Sequence, residues 1–236
     1  MDQAGFLRRL EAERLVSIIR GIGEEEAAEA GQALVDAGIG VIEVAFSWPG
    51  ARGVLRALGR LAEKGAVLGA GTVTDESTLE AALQAGARFI VTPHLAPRVI
   101  RACVARGIPA IPGAFSPTEV MQGFSLGACA VKVFPASALG PGYVRALLGP
   151  YPGLRLVPTG GIGPANAADY LAAGAFAVGV GAGLFPEEGG WPGAAVVGER
   201  AAELVRKVTR FRAAAAAGRS WPAPTNREAQ RGGCTP

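Results

Sequence analysis

One phrase returns along this chain and limits what it can become: a helical stretch ending in Ala-Gly or Leu-Gly, followed at once by a short apolar run. It occurs at Ala37-Gly38, Ala85-Gly86, Leu126-Gly127 and Ala173-Gly174. Glycine ends a helix readily because it adopts the left-handed conformation without steric cost. The apolar runs span residues 16–19, 41–45, 67–70, 89–91, 110–111, 130–134, 154–157 and 177–180. They are β-branched and nearly continuous, as strands are when a parallel sheet is covered on both faces. Between them, segments such as 24–37, 77–85, 97–105 and 117–126 carry apolar residues at helical spacing. Right-handed crossovers wind such units in one direction, and about eight of them close. The expected fold is α/β, a single (β/α)8 TIM barrel over residues 1–213 with an N-terminal amphipathic helix. A doubly wound open sheet is the competing architecture, but no G-x-G-x-x-G follows the first strand.

Composition removes several classes of function. A chain of 236 residues, half of them hydrophobic, supplies one large core. A net charge of +3 with scattered arginines does not suit nucleic acid. No run approaches the ~20 apolar residues a membrane span requires, and MDQAGFLRRLEAERL lacks the core of a signal peptide. The chain reads as cytoplasmic, with neither nucleic acid nor membrane as a partner. Its three cysteines have no C-x-x-C spacing and there is one histidine, so a His-based metal site is not expected. No cofactor is expected either. Residues 214–236, an Ala-rich stretch turning Pro/Gly-rich and polar, read as a tail that is mobile after Gly218.

Two charged residues interrupt the apolar strands. Lys132, in ACAVKVFPAS, shares a strand face with Ala130 and Phe134. If that face lines the barrel, desolvation favours the neutral amine, which is nucleophilic toward a keto group. If it does not, Lys132 is a strand-end lysine reaching water. Glu43, in GVIEVAF, faces with Val41 and Ala45, either as an acid–base group or in an ion pair. The two reinforce one another, since Lys132 is the only lysine in any strand run. Thr72, just past the third strand, offers a hydroxyl to a carboxylate or keto oxygen. Arg20, at the end of the first, offers a fork for a carboxylate or makes a rim ion pair. PTGGIGPANAADY and GVGAGLF place exposed backbone N–H groups after the last two strands, as an anion site does and as ordinary turns also do.

Taken in order, LVSIIRG, GVIEVAF, GAGTVT, FIVTPHL, IPAIPGAFSPTE, AVKVFPAS, VPTGGI and AVGVGAG resemble the KDPG/KHG aldolase family, from about Leu15 to Phe185. The resemblance implies a trimeric, metal-independent class I aldolase. It would cleave 2-dehydro-3-deoxy-6-phosphogluconate (KDPG) to pyruvate and glyceraldehyde 3-phosphate, or 4-hydroxy-2-oxoglutarate (KHG) to pyruvate and glyoxylate. It further implies that Lys132 is the Schiff-base lysine and Glu43 the acid–base carboxylate. Thr72 corresponds to a pyruvate contact, Thr159 to a position tied to stereochemical preference, Phe134 and Pro93 to pocket walls, and Gly160, Gly161 and Gly181 to phosphate loops.

The chain departs from the family at two positions. Some members carry an arginine where Ser47 stands, and Arg20 is the candidate to replace it. Many carry a serine where Ala182 stands, which weakens phosphate binding and lifts KHG as substrate. Three alternatives remain: a galactonate-type aldolase, a phosphate-binding barrel isomerase or epimerase, and a non-catalytic sugar-acid binder.

Overall fold

The computed structural model describes residues 2–185 and 190–218. Its elements alternate as the repeat requires. The strands are β1 (Leu15–Ile19), β2 (Val41–Ala45), β3 (Val67–Gly71), β4 (Ile90–Val91), β5 (Ala110–Ile111), β6 (Gly113–Ala114), β7 (Val131–Val133), β8 (Leu156–Pro158) and β9 (Val178–Val180). The helices are α1 (Gln3–Glu13), α2 (Glu24–Asp36), α3 (Ala51–Ala57), α4 (Glu76–Gln84), α5 (Pro97–Ala105), α6 (Pro117–Ser125), α7 (Gly140–Leu148), α8 (Ala167–Ala172) and α9 (Ala194–Ala216), with 3-10 turns at Leu58–Lys64 and Ala136–Ala138. Local chemistry sets several helix starts. Asp75 caps α4 through the Thr78 N–H, Ser116 and Glu119 form a capping box on α6, and three glutamates open α2 against the positive end of its dipole.

All pairings are parallel, in a six-stranded sheet ordered β5-β4-β3-β2-β1-β9 and a three-stranded sheet ordered β6-β7-β8. The order follows the chain without reversal, which excludes a doubly wound sheet. The sheets meet at two seams. One is Pro112, which has no N–H to give and separates β5 from β6. The other is the parallel bridge of Thr159 to Gly179.

Two apolar layers result. The outer layer packs the strands against the helices, with Leu34, Ile42, Leu79 and Leu204 fully buried. The inner one gathers Val16, Val41, Val67, Val91, Ile111, Ala130, Val157 and Ala177, so both sheets curve around one interior. Helix α1 closes the strand-start end: Phe6 and Leu10 enter the inner layer, and the Phe6 ring lies 4.9 Å from that of Phe89. Helix α9 runs through Ala216; the mobile tail expected after Gly218 lies outside the described residues.

Candidate active site

Val41 and Ala130 belong to the inner layer, so Glu43 and Lys132, two residues further along their strands, point inward at the strand ends. Both are buried, at 2% and 5% exposure, which removes the reading of Lys132 as a solvated strand-end residue. Together with Thr159 they line a small cavity walled by Val16, Val91, Ile111, Val157 and Gly179. Its free space suits about one water molecule, so a larger molecule has to sit at the rim above it.

Glu43 owes its position to a missing side chain. Its carboxyl occupies the place that a Cβ on Gly71, in the adjacent strand, would fill. Among the described residues, Oε1 is buried without a hydrogen-bond partner and no ion pair includes Glu43. Burial pushes this carboxyl above its ordinary range; the nearby charges of Lys132 and then Arg20 pull it part of the way back. Lys132 has its Nζ 5.0 Å from the Phe134 ring centroid. That contact leaves the nitrogen against an aromatic face, and the ring itself is 38% exposed at the mouth.

The remaining sequence candidates lie around the rim rather than in the cavity. Arg20 continues the inward face of Val16 and Ile18, is exposed, and joins no ion pair among the described residues. Thr72 has a φ of 58°, a left-handed conformation that a β-branched residue adopts only under constraint, at ~1–3 kcal/mol. Pro93 is half-buried, its carbonyl occupying the space beside Gly113. Gly160 and Gly161 both have positive φ; the Phe134 ring packs on the first and Ser137 on the second. Gly181 starts the turn that carries exposed Ala182, its carbonyl accepting from the N–H groups of Leu184 and Phe185. Gly183 in that turn touches Ile162 and Gly163, so the two glycine loops are one surface. The N–H groups of Gly161, Ile162, Ala182 and Gly183 have no acceptor among the described residues.

Three participants escaped sequence reasoning. Gly71 gives Glu43 its room, and a glycine inside a strand was a readable signal of close approach. Ser137 stands on the glycine surface, and Thr92 is buried beside Pro93; neither carries a signal in a single sequence. Among the described residues no three His, Cys, Asp or Glu side chains are grouped to hold a metal ion, and no helix is long and apolar enough to cross a membrane. A wider groove on the outer face, between α2, the 58–64 turn and α9, shares no residue with this site.

The chain matches the KDPG and KHG aldolase family over residues 7–190. It is 36% identical over 172 residues to a probable 2-dehydro-3-deoxy-6-phosphogalactonate aldolase of Rhizobium meliloti, covering 72% of this chain and 81% of the relative. It is 38% identical over 164 residues to a 2-dehydro-3-deoxy-phosphogluconate aldolase of Treponema pallidum, covering 69% and 78%. Among solved structures, a KDPG aldolase of Legionella pneumophila, with pyruvate captured as a covalent carbinolamine, superposes with a TM-score of 0.73 at 29% identity, covering 87% of this chain and 97% of that one. With a family match across most of its length and an interior that brings a lysine and a carboxylate together, this chain belongs to the KDPG and KHG aldolase family.

Proposed function

We propose that the chain is a class I aldolase in which Lys132 forms an imine with a 2-keto acid and Glu43 moves the protons. One observation carries this reading: a buried lysine and a buried carboxylate with an unpartnered oxygen line the same cavity at the strand ends. The neutral Nζ attacks C2 of the keto acid, and the carbinolamine loses water to give an iminium. The C3–C4 bond then breaks. Its electron pair passes into the iminium to leave an enamine, while the C4 hydroxyl loses its proton to Glu43 and departs as an aldehyde. Glu43 returns the proton to C3, and water releases pyruvate and frees the amine. The raised carboxyl of Glu43 suits both directions of transfer, and the iminium serves as electron sink, so the route needs no metal.

Arg20 takes the substrate carboxylate, Thr72 its carboxylate or keto oxygen, and Phe134 and Pro93 wall the pocket. Thr159 faces the reacting carbons and sets stereochemical preference. The surface of Gly160, Gly161, Gly181 and Ala182 takes the far end of the substrate with N–H groups that have no acceptor among the described residues. KDPG is the substrate we favour. Ala182, which offers no hydroxyl to a phosphate, is the observation that favours KHG as a second. Counting β5 and β6 as one strand broken at Pro112, and the Thr159–Gly179 bridge as closure, the architecture is a (β/α)8 barrel, which we expect to assemble as a trimer.

Incubation with pyruvate and borohydride, followed by mass spectrometry of peptides, tests the reading. The expected result is one pyruvate adduct, on Lys132. A chain that cleaves keto acids with no trappable adduct is an aldolase of another kind.

A further inference from the structure

We propose that Thr92 is a positioning residue for Lys132, its buried hydroxyl bridging the break that Pro112 makes in the sheet. The inference rests on the reading of Lys132 as the imine-forming amine. Up to Ile111, β4 and β5 pair regularly, ending with the Thr92 N–H donating to the Ile111 carbonyl at 3.3 Å. Pro112 has no N–H, and beyond it the chain belongs to the other sheet. The next donor, the Gly113 N–H, reaches back not to a main-chain carbonyl but to the Thr92 hydroxyl, at 3.3 Å. That hydroxyl in turn donates to the His94 carbonyl at 2.5 Å. The bond from Gly113 is the one hydrogen bond among the described residues that ties β6 to the residue following β4.

What the hydroxyl holds is the immediate support of Lys132. Gly113 lies directly opposite Lys132 in the β6–β7 register, and the Lys132 N–H donates to the Pro112 carbonyl at 2.9 Å. The approach is close, since a Cβ on Gly113 would collide with the main chain at Pro93 and His94. Thr92 is only 2% exposed, so no water substitutes for its hydroxyl without the walls moving. One side chain thus fixes both the strand beside the amine and the Pro93 turn at the rim. Misplacing a reacting group by about 1 Å costs up to ~10²-fold in rate, whereas global stability rests on the whole two-layer core.

The test compares Thr92→Val, which keeps the shape and loses the hydroxyl, with Thr92→Ser, which restores it. The expected result for Thr92→Val is borohydride-trappable pyruvate adduct formed at least about tenfold more slowly, kcat lowered in step and KM for the keto acid changed less than about twofold. Thr92→Ser recovers the wild-type rate within about twofold. Adduct formation at the wild-type rate in Thr92→Val, or a deficit that Thr92→Ser does not repair, overturns the proposal. A wild-type chain that forms no adduct overturns it together with the reading of Lys132. Should Thr92→Val not fold, hydrogen exchange of the Gly113 amide in the wild-type protein decides: protection is expected, and exchange at the rate of an open amide overturns the bridge.

Discussion

Two carboxylates serve opposite ends of the interior and are treated in opposite ways. Glu13, at the end of α1, accepts from the Gly40 and Val41 N–H groups at 2.8 and 3.1 Å and pairs with Arg9. Glu43, two residues along the same strand from Val41, has a buried oxygen with no partner among the described residues and a carboxyl that burial pushes upward. Hydrogen-bonded and ion-paired, the first ties the plug to the strand starts. An unsatisfied one costs stability when ionised and is free to exchange a proton. The strand starts are tied by paired groups, whereas the strand ends hold a buried polar group without a partner among the described residues, as the proposed chemistry requires.

The largest effect expected is at Lys132. Lys132→Ala should lose the pyruvate adduct and all cleavage above background while melting no lower than the wild type, by mass spectrometry and circular dichroism. Wild-type turnover in that variant breaks the contrast. Glu43→Gln comes next, slowing turnover by about 10²–10⁴-fold. It should also raise Tm at neutral pH, and the sign follows from linkage. The folded-state pKa of Glu43 lies above its unfolded value, so protonation favours the fold. That stability is fully present below ~4.3, the unfolded carboxylate value, and is lost as pH rises through the folded one. The glutamine variant, neutral throughout, keeps it; its Tm advantage should therefore grow with pH and vanish in acid. A variant that melts below the wild type at neutral pH would show that Glu43 has a structural partner.

Glu13→Gln inverts the pattern, with turnover intact and stability down by about 1–3 kcal/mol, or roughly 2–4 °C in Tm per kcal/mol. Lost turnover with unchanged melting there would erase the distinction between the two ends. The smallest effect is expected at the glycine surface. Ala182→Ser should lower KM for a phosphorylated keto acid about tenfold and leave KM for 4-hydroxy-2-oxoglutarate alone. An equal shift for both substrates would move the phosphate elsewhere.

The strands were legible because parallel strands covered on both faces are written almost wholly in apolar residues. The same background exposed Lys132 and Glu43, since a charge inside such a run stands out. Strand β6 is not legible in the sequence: two residues after a proline leave no periodicity, and the apolar run 110–111 stops at Pro112. The left-handed Thr72 and the hydroxyl bridge of Thr92 were hidden for another reason. Threonine is an ordinary strand residue, and only tertiary contacts reveal that its backbone is bent or its hydroxyl employed. Arg20 stands out in the sequence as a charge closing an apolar run, but its freedom from ion pairs among the described residues is visible only in the surroundings of its guanidinium.

The pairing of β1 with β9 carries a consequence for biogenesis. Arg14, the residue just before β1, donates its side chain to the Phe176 carbonyl, 162 positions later, and Leu15 has its register partner at Val178. A ribosome adding about 5–20 residues per second needs roughly 8–30 s to produce that stretch. Throughout that interval Phe6 and Leu10, which end fully enclosed, have no finished cradle to enter. Contacts so distant along the chain also slow the search for the native state. The nascent polypeptide therefore displays the apolar face of its opening helix first and hides it last, so early chaperone binding should concentrate on the opening residues.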